Sequence, residues 1–100
     1  DVNSAKHIKK ISTKDDMLEI NKEAAIEAAR QIRLRNLSGI IIIDFINMDD
    51  SGAEEELINF MSDLVCRDKV PTSVIDITPL GLMEITRKKI SKPLSEQLRG

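Results

Sequence analysis

Apolar residues recur at helical spacing between about residues 17 and 37, and polar residues fill the other faces. The apolar face is formed by Leu18, Ala25, Ala29 and Ile32. This pattern predicts an amphipathic helix whose alanines pack closely against a sheet. Two starts are open, because Thr13 with Asp16 could form a capping box and Asn21 is also a good cap. Gly39 is the expected stop, since glycine can adopt the left-handed conformation that closes a helix.

A second helical pattern is expected to begin at Ser51 and to end near Asp68. Ser51 and Glu54 have the spacing of a capping box, and glutamates at 54–56 place negative charge in the first turn, where the helix dipole favours it. Core-facing spacing then links the apolar positions Leu57, Phe60, Met61, Leu64 and Val65. We therefore expect this helix to pack on the core, with Cys66 as a buried helical residue.

Three short runs predict β-strands. Residues 40–43 are all isoleucine, apolar on both faces, which is typical of a central strand covered on both sides. Residues 74–78 and 82–87 flank a turn at 79–81, which predicts a β-hairpin. The order of elements predicts an α/β fold: one domain over residues 1–100, with helices packed on a mixed sheet and a C-terminal β-hairpin. A strand at residues 1–3 in the same sheet would run parallel to the isoleucine strand.

Composition narrows the class of protein. The 100 residues are 41% apolar and 32% charged, as in one soluble globular domain. The net charge of −2 neither indicates nor excludes a nucleic-acid partner, so binding to nucleic acid would need local basic patches or a metal ion. The single cysteine, Cys66, excludes an intrachain disulfide and fits a reducing cytosol. No apolar run approaches the ~18 residues of a membrane span, so we expect a cytoplasmic location.

Two aspartates give the strongest indication of function. Asp1 begins the chain, two residues before Asn3, and Asp44 follows the predicted isoleucine strand directly. Ligands gather outside the carboxyl ends of strands in open α/β sheets, and carboxylates are suited to Mg²⁺. The alternative is that Asp44 only caps a transition from strand to loop. The hypothesis to test is a metal site that cleaves phosphodiesters.

The segment at residues 4–16 is polar and rich in lysine, and we expect a surface loop there. Its basic positions are Lys6, His7, Lys9 and Lys10. They could contact phosphates, or they could be a solvated run of charge. His7 has no cysteine, histidine or glutamate at metal-ligand spacing, so a zinc site is not expected.

Ordered motifs at 1–5, 21–25, 29–37, 39–46 and 80–88 together resemble the ribonuclease E/G family. The resemblance covers nearly the whole chain and is to the DNase I-like subdomain of the catalytic region. It implies that Asp1 and Asp44 bind one Mg²⁺, for which Mn²⁺ could substitute. It also implies that Asn3 orients Asp1 by a hydrogen bond.

The same resemblance implies an endoribonuclease that cleaves single-stranded RNA by metal-assisted hydrolysis, in RNA processing and decay. Lys6, Arg87 and Lys88 are the candidate RNA-binding residues. The S1 domain, the 5′-end sensor and the RNase H-like part of the family are not within these 100 residues. We therefore expect a fragment of a larger catalytic region that works with other domains of its parent chain and could form a homo-oligomer.

Two positions depart from the family pattern. Asn47 stands where many members have aspartate, and residues 49–56 are acidic where members are often rich in arginine. Asn47 removes no implied ligand, but the acidic segment would repel RNA phosphates. A second hypothesis therefore stays open, in which the chain is a non-catalytic α/β module that packs against neighbouring domains or binds RNA.

Overall fold

The computed structural model describes residues 14–89, in the order helix, strand, helix, strand, strand. The elements are α1 (Lys14–Leu34), β1 (Gly39–Asp44), α2 (Ser51–Val65), β2 (Thr72–Ile77) and β3 (Leu82–Arg87). β3 lies at the centre of a sheet with the order β1-β3-β2 and is antiparallel to both neighbours. The expected α/β class and the β2–β3 hairpin are confirmed. The proposed parallel strand at residues 1–3 lies outside the described residues.

Both helices cover the same face of the sheet. The buried cluster consists of Ala25, Ala29, Ile32, Phe45, Met48, Leu57, Met61, Val65, Met83 and Ile85. Ile41 and Ile43 of β1 pack against this cluster from the sheet side. The apolar stripes predicted for the two helices are therefore the faces that form the core. Within residues 14–89, neither helix is long and apolar enough to cross a membrane.

The prediction that the isoleucine strand is covered on both faces is wrong, because one face is exposed. Its central position stays a prediction, since the neighbouring strand expected at residues 1–3 lies outside the described residues. Among residues 14–89, β1 lies at the edge of the sheet, and Ile40 and Ile42 are 77% and 58% exposed. Ile75 of β2 is exposed as well. A run of isoleucines is apolar on both faces whichever face the helices cover, so the sequence could not show which one is open. Alternation along β1 places Asp44 on this open face, with Ile40 and Ile42.

α1 ends at Leu34, earlier than expected, because Asn36 already takes the left-handed conformation that stops it (φ 51°). Gly39 also has a positive φ, of 84°, but it lies beyond the helix, at the start of β1. The Asn36 N–H donates to the carbonyl of Arg33 at 3.2 Å, and the next N–H donates to the carbonyl of Ile32 at 3.0 Å. These two bonds form the Schellman motif. Asparagine tolerates this conformation better than most residues, which explains the earlier stop.

The ends of α2 also differ from the prediction. Asp50, one residue before Ser51, is the N-cap, and its carboxylate accepts a hydrogen bond from the Gly52 N–H at 3.0 Å. Asp50 is in extended conformation, as an N-cap residue requires, so the predicted Ser51 capping box is replaced. Cys66, expected to be buried, is exposed at the C-cap, because the last core-facing residue of α2 is Val65.

A buried ion pair joins β3 to the loop before β2. Arg87 donates to the Asp68 carboxylate through Nε at 2.8 Å and through Nη2 at 3.3 Å, and the two side chains are 4% and 6% exposed. Nη1 of Arg87 donates to Asn36 Oδ1 at 2.9 Å and to the Leu37 carbonyl at 2.8 Å, so the pair also holds the end of α1. The Arg87 guanidinium holds the pKa of Asp68 below its ordinary value.

Candidate metal centre

Asp44 is the last residue of β1 and pairs with Leu82 at the start of β3. Its carboxylate is exposed on the open face of the sheet, and no side chain within residues 14–89 forms a hydrogen bond or ion pair with it. The predicted placement at the C-terminal end of a strand is confirmed. Residues 14–89 contain no group of three or more His, Cys, Asp or Glu that could hold a metal ion. Among these residues, Asp44 is thus the one implied metal ligand that the structure describes.

Asn21 of α1 fixes the backbone that follows Asp44. Its Nδ2 donates to the Ile46 carbonyl at 2.9 Å, and the Ile46 N–H donates to its Oδ1, also at 2.9 Å. The amide therefore satisfies both backbone polar groups of Ile46, as a neighbouring strand would. Asn21 is an interior residue of α1 and not its N-cap, which removes one of the two starts considered for the helix.

The turn between β2 and β3 holds the same segment from the sheet side. The Phe45 N–H donates to the Gly81 carbonyl at 3.0 Å. Gly81 has a φ of 92°, and a Cβ added to it would lie 2.8 Å from the Phe45 carbonyl oxygen. Only glycine allows this approach without strain. The buried side chains of Phe45 and Met48 anchor the segment in the core.

Asn47 stabilises a local turn. Its Oδ1 accepts a hydrogen bond from the Asp49 N–H at 3.0 Å, and Asp49 has a positive φ of 50°. An aspartate carboxylate could accept the same bond, because Asn and Asp both form this type of turn. Asn47 therefore leaves the path of the backbone between Asp44 and α2 intact.

The acidic start of α2 is neutralised at one position. Lys22 Nζ donates to Glu56 Oε2 at 2.6 Å and lies 5.4 Å from the centre of the Phe60 ring. The hydrogen bond with Glu56 raises the pKa of Lys22 above its ordinary value. The Asp49 and Glu55 side chains are exposed. The surface that follows Asp44 therefore keeps the acidic character expected from the sequence.

The candidate RNA-binding residues are in different environments. Arg87 is buried and its three guanidinium nitrogens bond within the protein, which argues against a direct contact with RNA. Lys88 is exposed, but it follows the end of β3 opposite to the one beside Asp44, about 20 Å away at ~3.3 Å per residue. Lys6 lies outside the described residues, as do Asp1 and Asn3, so the expected pairing of Asp1 with Asp44 stays a prediction.

From the sequence, Asn21 was considered only as a helix cap, and its contact with Ile46 was not predicted. The apolar pattern of α1 nevertheless indicates that Asn21 is buried. Asn21 lies four residues before Ala25, on the apolar stripe of α1. A polar residue at such a position is buried on folding and needs a hydrogen-bonding partner. For Arg87 no local signal exists, because its partner Asp68 is 19 residues away in the sequence.

Comparison with known proteins identifies relatives along nearly the whole chain. The sequence profile of the ribonuclease E/G family matches residues 1–90. Ribonuclease E from Synechocystis sp. is 40% identical over 96% of this chain and 14% of its own length. Ribonuclease G from Salmonella typhimurium is 37% identical over 98% of this chain and 20% of its own length. Ribonuclease E from Haemophilus influenzae is 38% identical over 96% of this chain and 10% of its own length.

The chain thus spans between 10% and 20% of the length of these relatives. The matched region includes Asp44, with the backbone that Asn21 and Gly81 hold, and it includes both motifs that carry the resemblance at the aspartates. A family match over nine-tenths of the sequence, together with relatives near 40% identity, is decisive. The chain belongs to the ribonuclease E/G family.

Proposed function

We propose that this chain supplies part of the catalytic metal site of an endoribonuclease that cleaves single-stranded RNA in the cytoplasm. The observation that carries the proposal is the position of Asp44: an exposed carboxylate at the end of β1, followed by a backbone that is held on two sides. Family membership supports it, because the relatives are named ribonucleases. Exposed carboxylates without this support would be ordinary surface residues.

The donor chemistry of Asp44 fits Mg²⁺. Mg²⁺ prefers oxygen ligands and is usually held by one or two carboxylates together with waters and substrate phosphates. Asp44 would supply one carboxylate, and the proposal assigns the other to Asp1, with Asn3 orienting Asp1. An ion held there would supply activation of water and electrostatic stabilisation of the charge that develops on the phosphate. Mn²⁺ has the same preference for oxygen and could replace Mg²⁺.

The chain's own residues hold Asp44 in place. The β1–β3 ladder fixes the backbone before Asp44, and Gly81 and Asn21 fix the backbone after it. With the backbone fixed, only the side-chain torsions of Asp44 are left to be ordered on binding a metal, which favours catalysis by pre-organisation. Arg87 is assigned to stability, and Lys88 stays as the candidate for a contact with RNA phosphate among the described residues.

The second hypothesis, a module that packs against neighbouring domains, has support of its own. The open face of the sheet exposes Ile40, Ile42 and Ile75. Ile40 and Ile42 are next to each other on this face of β1, and exposed apolar side chains that lie together are typical of interaction sites. The two roles are compatible, because a catalytic segment within a longer protein also contacts its neighbours. The two roles differ at Asp44: catalysis requires its carboxylate, and packing against neighbouring domains does not.

A metal titration followed by NMR tests the site. Mg²⁺ or Mn²⁺ at millimolar concentration is expected to shift or broaden the backbone amide signals of Asp44, Phe45 and Ile46. Asp44→Asn should remove this response, because the neutral amide is a poorer ligand for Mg²⁺. Asp63→Asn is the matched control, since Asp63 is an exposed aspartate on α2, and it should leave the response unchanged. The absence of any change near Asp44 would contradict the proposed site.

A further inference from the structure

Asn21 occupies a core position that the pattern of α1 assigns to an apolar side chain. Its side chain is 1% exposed, and the residues that share its face are Leu18, Ala25, Ala29 and Ile32. Burial of an unpaired amide costs about 1–3 kcal/mol, so an apolar residue would be the simpler choice for packing alone. No buried side-chain polar atom within the described residues lacks a partner, and those of Asn21 are satisfied by Ile46. The two hydrogen bonds to Ile46, and not packing, therefore explain why an asparagine occupies this buried position.

The two bonds act on consecutive peptide groups. The Ile46 N–H belongs to the peptide group that links Phe45 to Ile46, and the Ile46 carbonyl belongs to the one that links Ile46 to Asn47. The peptide group before them, which links Asp44 to Phe45, is held by the bond from the Phe45 N–H to Gly81. Three successive peptide groups after the Asp44 Cα are thus fixed. Rotation of the backbone at Asp44 would break at least one of these bonds.

We propose that Asn21 is a positioning residue for the metal site: by holding the Ile46 backbone against α1, it fixes the Asp44 backbone and so the direction in which the Asp44 side chain extends towards the metal. This inference rests on the proposed function. Mg²⁺ demands a near-octahedral shell with oxygen distances of about 2.0–2.1 Å, so a small displacement of a ligand weakens binding. A misplacement of about 1 Å at a reacting centre can cost ~100-fold in rate.

The test uses RNA cleavage by the complete protein that contains this chain. Asn21→Leu removes both hydrogen bonds and keeps the number and branching of the side-chain heavy atoms. We expect kcat to fall by about 10- to 100-fold, in the range seen for groups that orient metal ligands. The Mg²⁺ concentration for half-maximal activity should rise, and so should the Mg²⁺ concentration at the midpoint of the NMR titration of the Phe45 amide, measured without RNA. KM for RNA should change little. A loss of stability alone would not move the Mg²⁺ requirement at temperatures where the variant is folded.

Asn36→Gly is the matched control. It removes one hydrogen bond to Arg87 at the opposite end of β1, and glycine accepts the positive φ of this position. It should lower the unfolding temperature but leave kcat and the Mg²⁺ requirement unchanged. If Asn21→Leu does not fold, Asn21→Ser takes its place, because its hydroxyl is too short to satisfy both groups of Ile46. The same rise in the Mg²⁺ requirement is expected for it.

Asp44→Asn, assayed in parallel, distinguishes a failure of the positioning role of Asn21 from a failure of the proposed metal site. A folded Asn21 variant with the kcat and Mg²⁺ requirement of the wild type would overturn the positioning role, whatever its stability. If Asp44→Asn is inactive in that same series, the proposed metal site still stands. Full activity of Asp44→Asn would instead overturn the proposed function and, with it, the inference for Asn21.

Discussion

Asp68→Asn is expected to lower the free energy of unfolding by about 3–5 kcal/mol, because it leaves the Arg87 guanidinium charged, buried and without its counter-ion. The Asp68 and Arg87 side chains are 6% and 4% exposed, so water cannot replace the lost partner. The loss should extend to α1, since Arg87 also binds Asn36 and the Leu37 carbonyl. Urea unfolding followed by circular dichroism measures the effect.

Glu56→Gln is the control for this substitution. It also removes one carboxylate charge from an ion pair, but Glu56 is exposed and its pair with Lys22 lies at the surface. Solvent screens such a pair, so little change in stability is expected. A loss for Asp68→Asn no larger than that for Glu56→Gln would show that the buried pair does not stabilise the fold.

The same pair predicts how stability depends on pH. The pKa of Asp68 is lowered in the folded protein, chiefly by its hydrogen bonds with Arg87, from an ordinary value of 3.8. Its contribution is therefore fully present above the pKa of the unfolded chain and is lost as the pH falls through the lower pKa of the folded state. Urea midpoints measured from neutral to acid pH should fall less for Asp68→Asn than for the wild type over this acid range.

Periodicity was sufficient to predict the two helices, their core-facing sides and the hairpin. The apolar stripe that contains Ala25 and Ala29, and the one that contains Leu57 and Met61, are the faces buried against the sheet. These predictions succeeded because burial of one face is the main determinant of an amphipathic helix. The placement of Asp44 succeeded for a similar reason, because the polar residue after an apolar run marks the end of the strand.

The helix termini were harder to predict, because neighbouring residues compete for the same role. Asn36 and Gly39 can both take a left-handed conformation, and Asp50 and Ser51 can both cap a helix. The choice depends on where the core contacts of each helix end, which no local motif contains. The exposed face of β1 has the same origin, since it depends on which face of the sheet the helices cover.

The side-chain contacts that could not be predicted from the sequence join residues that are distant along the chain. Asn21 and Ile46 are 25 residues apart, and Arg87 and Asp68 are 19 apart. Asn21 has the residue type of a helix cap, and Arg87 has that of a phosphate ligand, so type alone suggested the wrong partner for each. Only the packing of α1 and β3 against their neighbours shows that both side chains bond within the protein.

Asp44→Asn is expected to reduce RNA cleavage by the complete protein by about 100-fold or more, since the charge stabilisation supplied by a catalytic metal is worth several kcal/mol. Asparagine is nearly isosteric with aspartate, but it is neutral and a poorer ligand for Mg²⁺. The fold should not change, because Asp44 is exposed and forms no hydrogen bond with another side chain in the described part of the chain. Asp63→Asn, the same substitution at an exposed site on α2, should retain activity.

The most direct measurement is therefore the rate of single-stranded RNA cleavage in Mg²⁺ by the complete protein, compared between the wild type, Asp44→Asn and Asp63→Asn. Equal urea midpoints for all three proteins would show that the folds are comparable. The account predicts that only Asp44→Asn loses cleavage. Cleavage by Asp44→Asn at the wild-type rate would contradict the catalytic role of Asp44 and leave the chain as a module that packs against its neighbours.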